Sequence, residues 1–429
     1  MVTRRIEKIT AIFILILPVS IMFSNLIVIP FDAFVFTFQH FMLVGAVFLS
    51  FFNLKKRISA HLIFLLFIML ISEILHSIIS GFALEIEWLK SFAQYMVYIA
   101  SFYLLIRIKI HPKKWQLASI WFLKFILIVC IVNIMVFIIN NTLGLISLPS
   151  VMLVNNTINL THDFRYLGIF PNIGLATEPS LQALGLIISL AFIHNFYRRG
   201  FYDNIYKIFI ITNLLILINI ISSFSMTGLF SIILLFSLLF LSNLSKWKLV
   251  STLTYIIVIL LFVSLTIQFV NPTTRRTLAV MQGRDSSTKI RLFAPYELMI
   301  SQSSTIERTL FGTGLGLENR ESKLYHNIYQ KYYLVYRDEV KVANILSAIR
   351  ILQGFIGVIV FISFIIFLLK PLFNNIRVTY SIISINLIVL FSSGYFLSPF
   401  FWGLLVTNYA MNYSKYRYNK KYQILSLQS

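Results

Sequence analysis

Residues 271–344 form a polar stretch in a chain that is otherwise largely apolar. They hold 11 of the 36 Lys and Arg and 7 of the 15 Asp and Glu. Within them, Gly283-Arg284-Asp285-Ser286-Ser287-Thr288-Lys289-Ile290-Arg291 sets two arginines near one face if the chain is helical from Ser287 onward. Two guanidinium forks side by side make a good clamp for a pyrophosphate. The plainer reading of the same residues is a solvated basic helix. Next comes Phe311-Gly312-Thr313-Gly314-Leu315-Gly316. The Lys-Ser or Lys-Thr that a P-loop needs is missing, so the glycines read as a turn that lets backbone approach a ligand. His326, in Tyr325-His326-Asn327, is a residue type that shuttles protons near neutral pH. The alternative is a loop histidine with no task.

Upstream lies Arg165-Tyr-Leu-Gly168, followed by Glu178-Pro179-Ser180. Pro179 suits a first helical turn, and Glu178 complements the helix dipole there. The functional alternative makes Glu178 a carboxylate at the membrane surface, able to accept a proton or orient a hydroxyl. Inside apolar runs, Glu73 and His76 stand at i and i+3, and Arg350 opens a late run. An intramembrane ionisable pair is a candidate for a proton path, or a structural pair of the bundle interior. Arg350 is placed to snorkel outward or reach a phosphate. Metal binding is poorly supported: His162 and His326 show no paired His/Asp/Glu spacing.

What must position these residues is a membrane bundle. The chain is 58% hydrophobic and 12% charged, far from the quarter charged that is usual in soluble domains. Apolar runs of about 20 residues recur from end to end, long enough to cross a bilayer as helices. Strand alternation is missing, which argues against a barrel. The net charge of +21 falls mostly in short clusters between runs, as membrane topology demands, so nucleic acid is rejected as a partner. The single cysteine, Cys130, allows no intrachain disulfide and no multi-cysteine zinc site. The run after Arg4-Arg5 carries no small-residue cleavage site and reads as a retained first helix.

The expectation is an all-α polytopic fold, one integral membrane domain over residues 1–429. Its twelve spans are placed at about 9–29, 32–52, 60–81, 88–108, 117–140, 178–196, 207–223, 226–243, 249–270, 345–369, 378–396 and 398–413. With both termini in the cytoplasm, 21 basic residues fall in inner segments, against Lys90 and Arg165 in short outer ones. Residues 141–177 and 271–344 are then the outer segments. The second is basic, but loops of that length escape the positive-inside rule.

Taken in order, these pieces resemble the O-antigen polymerase and O-antigen ligase superfamily of membrane glycosyltransferases. The resemblance rests on the twelve-span layout and the large outer segment between the ninth and tenth spans. It also rests on Arg165 to Ser180, Ser222 to Gly228, Arg284 to Arg291, Gly312 to Gly316, His326-Asn327 and the small-residue turn Gly354-Phe-Ile-Gly357. In the ligase branch that turn follows His-Asn closely. Here Ile328 to Gln353 intervene, which favours the polymerase branch.

The resemblance implies a glycosyltransferase-C-like protein of the bacterial inner membrane with a large periplasmic loop. Its substrates would be oligosaccharide repeat units on undecaprenyl pyrophosphate, with membrane lipids around it and room for a chain-length regulator. No cofactor and no obligatory metal are implied. The departing pyrophosphate accumulates negative charge, so Arg165, Arg284 and Arg291, with Arg350 as a further candidate, would stabilise it. His326 or Glu178 would take the acceptor's proton or orient its hydroxyl. The main rival is a transporter of the same lipid-linked units, which would gather ionisable groups along an internal cavity instead.

Overall fold

The computed structural model describes residues 2–23, 27–31, 34–53, 60–79, 85–108, 110–143, 172, 174, 176, 179–197, 200–223, 225, 228, 231–232, 235, 297, 299–301, 305–315, 345–369 and 398–410. These residues are almost all helical. The helices are α1 (Val2–Ile16), α2 (Phe38–Ser50), α3 (Ala60–Ile79), α4 (Ile86–Ile106), α5 (Pro112–Leu143), α6 (Pro179–Tyr197), α7 (Tyr206–Ser222), α8 (Ile306–Phe311), α9 (Ile345–Leu369) and α10 (399–410). Seven stretches among the described residues are long and apolar enough to cross a membrane. They are α1 with the 3₁₀ turns after it, α3 to α7, and α9. The expected span at 226–243 is described only at 228, 231–232 and 235, and those at 249–270 and 378–396 lie outside the described residues.

Two expected spans are corrected. The first, placed at 9–29, is long and apolar enough to cross only over Arg5–Phe23, because Ile27–Phe31 is a strand, and within it α1 tightens to 3₁₀ over Leu17–Phe23. Pro18 is the cause, since it lacks the N–H that would bond back to the Ile14 carbonyl. That carbonyl accepts instead from Thr407 Oγ1 of α10, at 2.7 Å. The second span was placed at 32–52. Here the chain forms an antiparallel hairpin, Ile27–Phe31 with Phe34–Thr37, in which Pro30 pairs Val35. Proline stops a helix, and the β-branched run before it suits a strand. Helix α2 keeps only 13 residues, about 20 Å at 1.5 Å per residue.

The bundle has a lipid-facing shell and a dry interior. On α5 the exposed residues Leu117, Trp121, Ile128, Ile131, Met135 and Ile138 recur at helical spacing, and α3 exposes Phe64, Phe67, Leu75 and Ile78. Apolar surface of that extent faces acyl chains, not water. Inside, α6 is buried on nearly every side, and Phe102, Phe361, Phe364, Phe401 and Trp402 form one aromatic cluster joining α4, α9 and α10.

Contacts fix how the helices run. His61 at the start of α3 stacks on Phe367 near the end of α9, so these two are antiparallel. Tyr202, just before α7, donates to the Ser119 carbonyl early in α5, while Asn219 late in α7 reaches the Cys130 carbonyl, so α5 and α7 run parallel. Helix α1 ties the two groups together. Lys8 lies over Trp121 of α5, and Ile14 and Leu17 meet α10. The last turns of α3, α5 and α7 and the first turns of α4, α6 and α9 therefore share one end of the bundle, termed the upper end below.

Candidate functional site

Two polar clusters occupy the upper end. The first is built around a break in α9. Gly354 has φ 66° and ψ −166°, which interrupts the helix and leaves the carbonyls before it without their usual partners. The turn after α8 supplies donors. The N–H of Thr313 and its Oγ1 both donate to the Ile351 carbonyl at 2.9 Å, and the N–H of Gly314 donates to the Leu352 carbonyl at 2.8 Å. The fit demands glycine on both sides. A Cβ on Gly312 (φ 81°) would sit 2.5 Å from the Gly354 nitrogen, and one on Gly354 would run into the Leu310 carbonyl. The glycine turn thus brings backbone onto backbone, and the partner of this close approach is α9.

Helix α3 closes the other side of the turn. The Glu73 carboxylate is 2% exposed, and its Oε1 accepts from the Leu315 N–H at 2.8 Å and from the Trp88 indole N–H at 3.0 Å. One helical turn on, the His76 ring stacks on Phe311 at 6.2 Å and 15°. Beside them, Gln353 donates to the Tyr95 hydroxyl at 3.3 Å. Burying a carboxylate is costly unless its charge is met by donors. An indole and a backbone amide converging on one oxygen meet part of that cost.

The second cluster is made of carboxamides. Asn172 donates through Nδ2 to Asn219 Oδ1 at 3.0 Å and to Ser222 Oγ at 2.9 Å. Its Oδ1 accepts from the Gly174 N–H and from Gln182 Nε2, and its own N–H donates to the Ser222 carbonyl. Asn219 adds donations to the Cys130 and Leu215 carbonyls. Ser223 and Ser225 continue the chain of bonds to the Gly228 N–H. Interhelical carboxamide bonds of this kind hold helices together in lipid, where water cannot compete. Asn133 of α5, 1% exposed, lies against Gly174, and among the described residues its amide makes no hydrogen bond.

Of the residues singled out from the sequence, Arg165, Glu178, Arg284, Arg291 and His326 lie outside the described residues. Asn172, which lies between Arg165 and Glu178 in sequence, is bonded to Ser222 at the upper end. Gly312 and Gly354, also far apart in sequence, are joined in the same way. Arg350 does not snorkel outward. It is 7% exposed, with its guanidinium 4.2 Å from the centre of the Phe355 ring. Cation–π contact and burial hold it within the bundle.

Sequence reasoning paired Glu73 with His76 by spacing and missed Trp88 and Leu315. It also passed over Asn133, Asn172, Gln182 and Asn219. The signal was available: each of Asn133, Gln182 and Asn219 sits inside an apolar run, where a polar side chain needs a partner. Among the described residues, no group of three His, Cys, Asp or Glu side chains stands close enough to hold a metal ion. In comparisons with known proteins, no family model and no curated protein matches this chain.

Proposed function

We propose that this chain is a multi-pass glycosyltransferase of the bacterial inner membrane. It polymerises undecaprenyl-pyrophosphate-linked oligosaccharide repeat units into surface polysaccharide at the periplasmic face. Twelve spans with both termini cytoplasmic, and outer segments 141–177 and 271–344, belong to this reading. An acceptor hydroxyl attacks the anomeric carbon of the donor glycan. The bond from that carbon to the lipid pyrophosphate breaks, and the hydroxyl proton passes to His326 or Glu178. Arg165, Arg284 and Arg291 bind the leaving pyrophosphate more tightly as its charge grows.

One observation carries the reading. Described residues of segments that resemble separate parts of one family's pattern, Asn172 with Ser222 and Gly312 with Gly354, lie far apart in sequence yet meet pairwise at a single end of the bundle. That is the end to which the positive-inside rule gives the outer face, where lipid-linked sugar is presented.

The test is genetic and chemical. Arg284→Ala and Arg291→Ala are expected to abolish long-chain glycan while protein levels hold. Normal chain length in both variants overturns the clamp. Deletion of the gene should leave a single repeat unit on the surface lipid. Loss of every unit would instead point to the ligase branch.

A further inference from the structure

We propose that Glu73 is a positioning residue, a clasp within the membrane span that fixes the Gly312–Leu315 turn. The turn is gripped from two sides. Helix α9 offers the Ile351 and Leu352 carbonyls freed by its break at Gly354. Helix α3 offers a single carboxylate oxygen to the Leu315 N–H, and the same oxygen takes the Trp88 indole N–H from α4. Leu315 is 0% exposed and Glu73 is 2% exposed, so water does not compete for these bonds. His76, three residues along α3, holds the preceding helix α8 through the face of Phe311. The chain on either side of this clasp is the segment that holds Arg284 and Arg291 before it and His326 after it. Releasing Glu73 therefore removes the bond that ties Leu315 to α3 and, through Trp88, to α4, and leaves α8 on α3 only by the His76–Phe311 contact.

The Leu315 and Trp88 donors converge on Oε1, which makes the chemistry of this clasp separable from charge. A glutamine at this position keeps an oxygen acceptor where Oε1 stands, while a leucine keeps the volume and loses the acceptor. A clasp survives the first change and fails with the second. A proton-carrying role for Glu73 fails with both.

The readout is cysteine protection in the full-length chain. Leu315→Cys retains the backbone N–H and places a thiol at a buried site. The native Cys130 is itself buried. In permeabilised membranes, a maleimide should label Cys at 315 slowly when residue 73 is Glu or Gln. Labelling should be at least tenfold faster in Glu73→Leu. A thiol at the exposed position Ile306 should label equally in all three backgrounds, which certifies insertion. Equal labelling at 315 in all three overturns the clasp, and so does loss of protection in Glu73→Gln. The functional consequence rests on the proposed polymerase reading: glycan chains should shorten in Glu73→Leu and recover in Glu73→Gln. The two can fail separately. If Ile306→Cys in intact cells labels only after permeabilisation, the outer placement and the polymerase reading fall, while protection at 315 still decides the clasp.

Discussion

Replacing Gly312 with alanine isolates the contact on which the α8 turn depends. Gly312 sits at φ 81° and ψ −155°, a region reserved almost entirely for glycine. Holding alanine there costs about 1–3 kcal/mol. The new methyl would also stand 2.5 Å from the Gly354 nitrogen and from the Leu352 carbonyl carbon. Those are backbone atoms of α9, and no side-chain rotation relieves them. The chain escapes only by lifting the turn, which gives up the Thr313 and Gly314 bonds to α9 and the Leu315 bond to Glu73. Each is worth about 0.5–1.5 kcal/mol net, so the docked turn has several kcal/mol to lose before it opens. The backbone strain alone shifts the open-to-docked ratio by about 5- to 150-fold, at tenfold per 1.4 kcal/mol. Hydrogen exchange in detergent or nanodiscs reads this directly. The amides of Thr313, Gly314 and Leu315 should exchange faster in Gly312→Ala by a factor in that range, while peptides from α5 keep their wild-type rates. Unchanged exchange at 313–315 refutes the steric account, because alanine would then have been accommodated against α9.

Four further substitutions test the carboxamide cluster and the α1–α10 contact. Asn133→Leu, near-isosteric and removing an amide that makes no hydrogen bond among the described residues, should leave the melting temperature unchanged or raise it. Asn219→Leu, which strips the Asn172, Cys130 and Leu215 contacts, should cost about 1–3 kcal/mol for each buried group it orphans and lower the melting temperature clearly. Thr407→Val should destabilise by about 1–3 kcal/mol because Pro18 cannot donate to the Ile14 carbonyl. Pro18→Ala restores that donor, so the double variant should show strong non-additivity in a thermal-unfolding cycle, and simple additivity would refute the substitution of one donor for the other.

The spans around α3, α4, α5, α6, α7 and α9 were legible because span length and apolarity are local properties, readable within one window. The hairpin before α2 was not. A window of apolar residues scores the same as strand or helix, and only Pro30 and the β-branched run at Ile27–Ile29 mark the difference. The polar contacts were legible by half. Glu73 announced that something must meet a carboxylate in lipid, but its partners lie 15 and 242 positions away, beyond any spacing rule. Gly312 announced that backbone must come close there. That the visitor is Gly354 follows only from the break in α9, which neither glycine declares on its own. Arg350 misled because an arginine near a helix end usually reaches for water, whereas Phe355 gives it a face to stay on.

The distribution of polar groups bears on the choice between transfer chemistry and transport. A carrier spends intramembrane polar side chains along a path through the bilayer, with its binding site near the midplane. Among the described residues, the bonded polar groups are spent otherwise. Glu73 and Trp88 hold the turn after α8. Asn172, Gln182, Asn219 and Ser222 hold the return of the chain into α6. Thr407 repairs the helix broken by Pro18. Two of these three sets anchor connecting chain to helix ends, and both lie at the same end of the bundle. Anchoring in that way fixes Asn172 and the Gly312–Leu315 turn against the helices beside them. On the proposed transferase reading, such anchoring serves to preorganise charge around a leaving group, whereas a carrier must alternate its access.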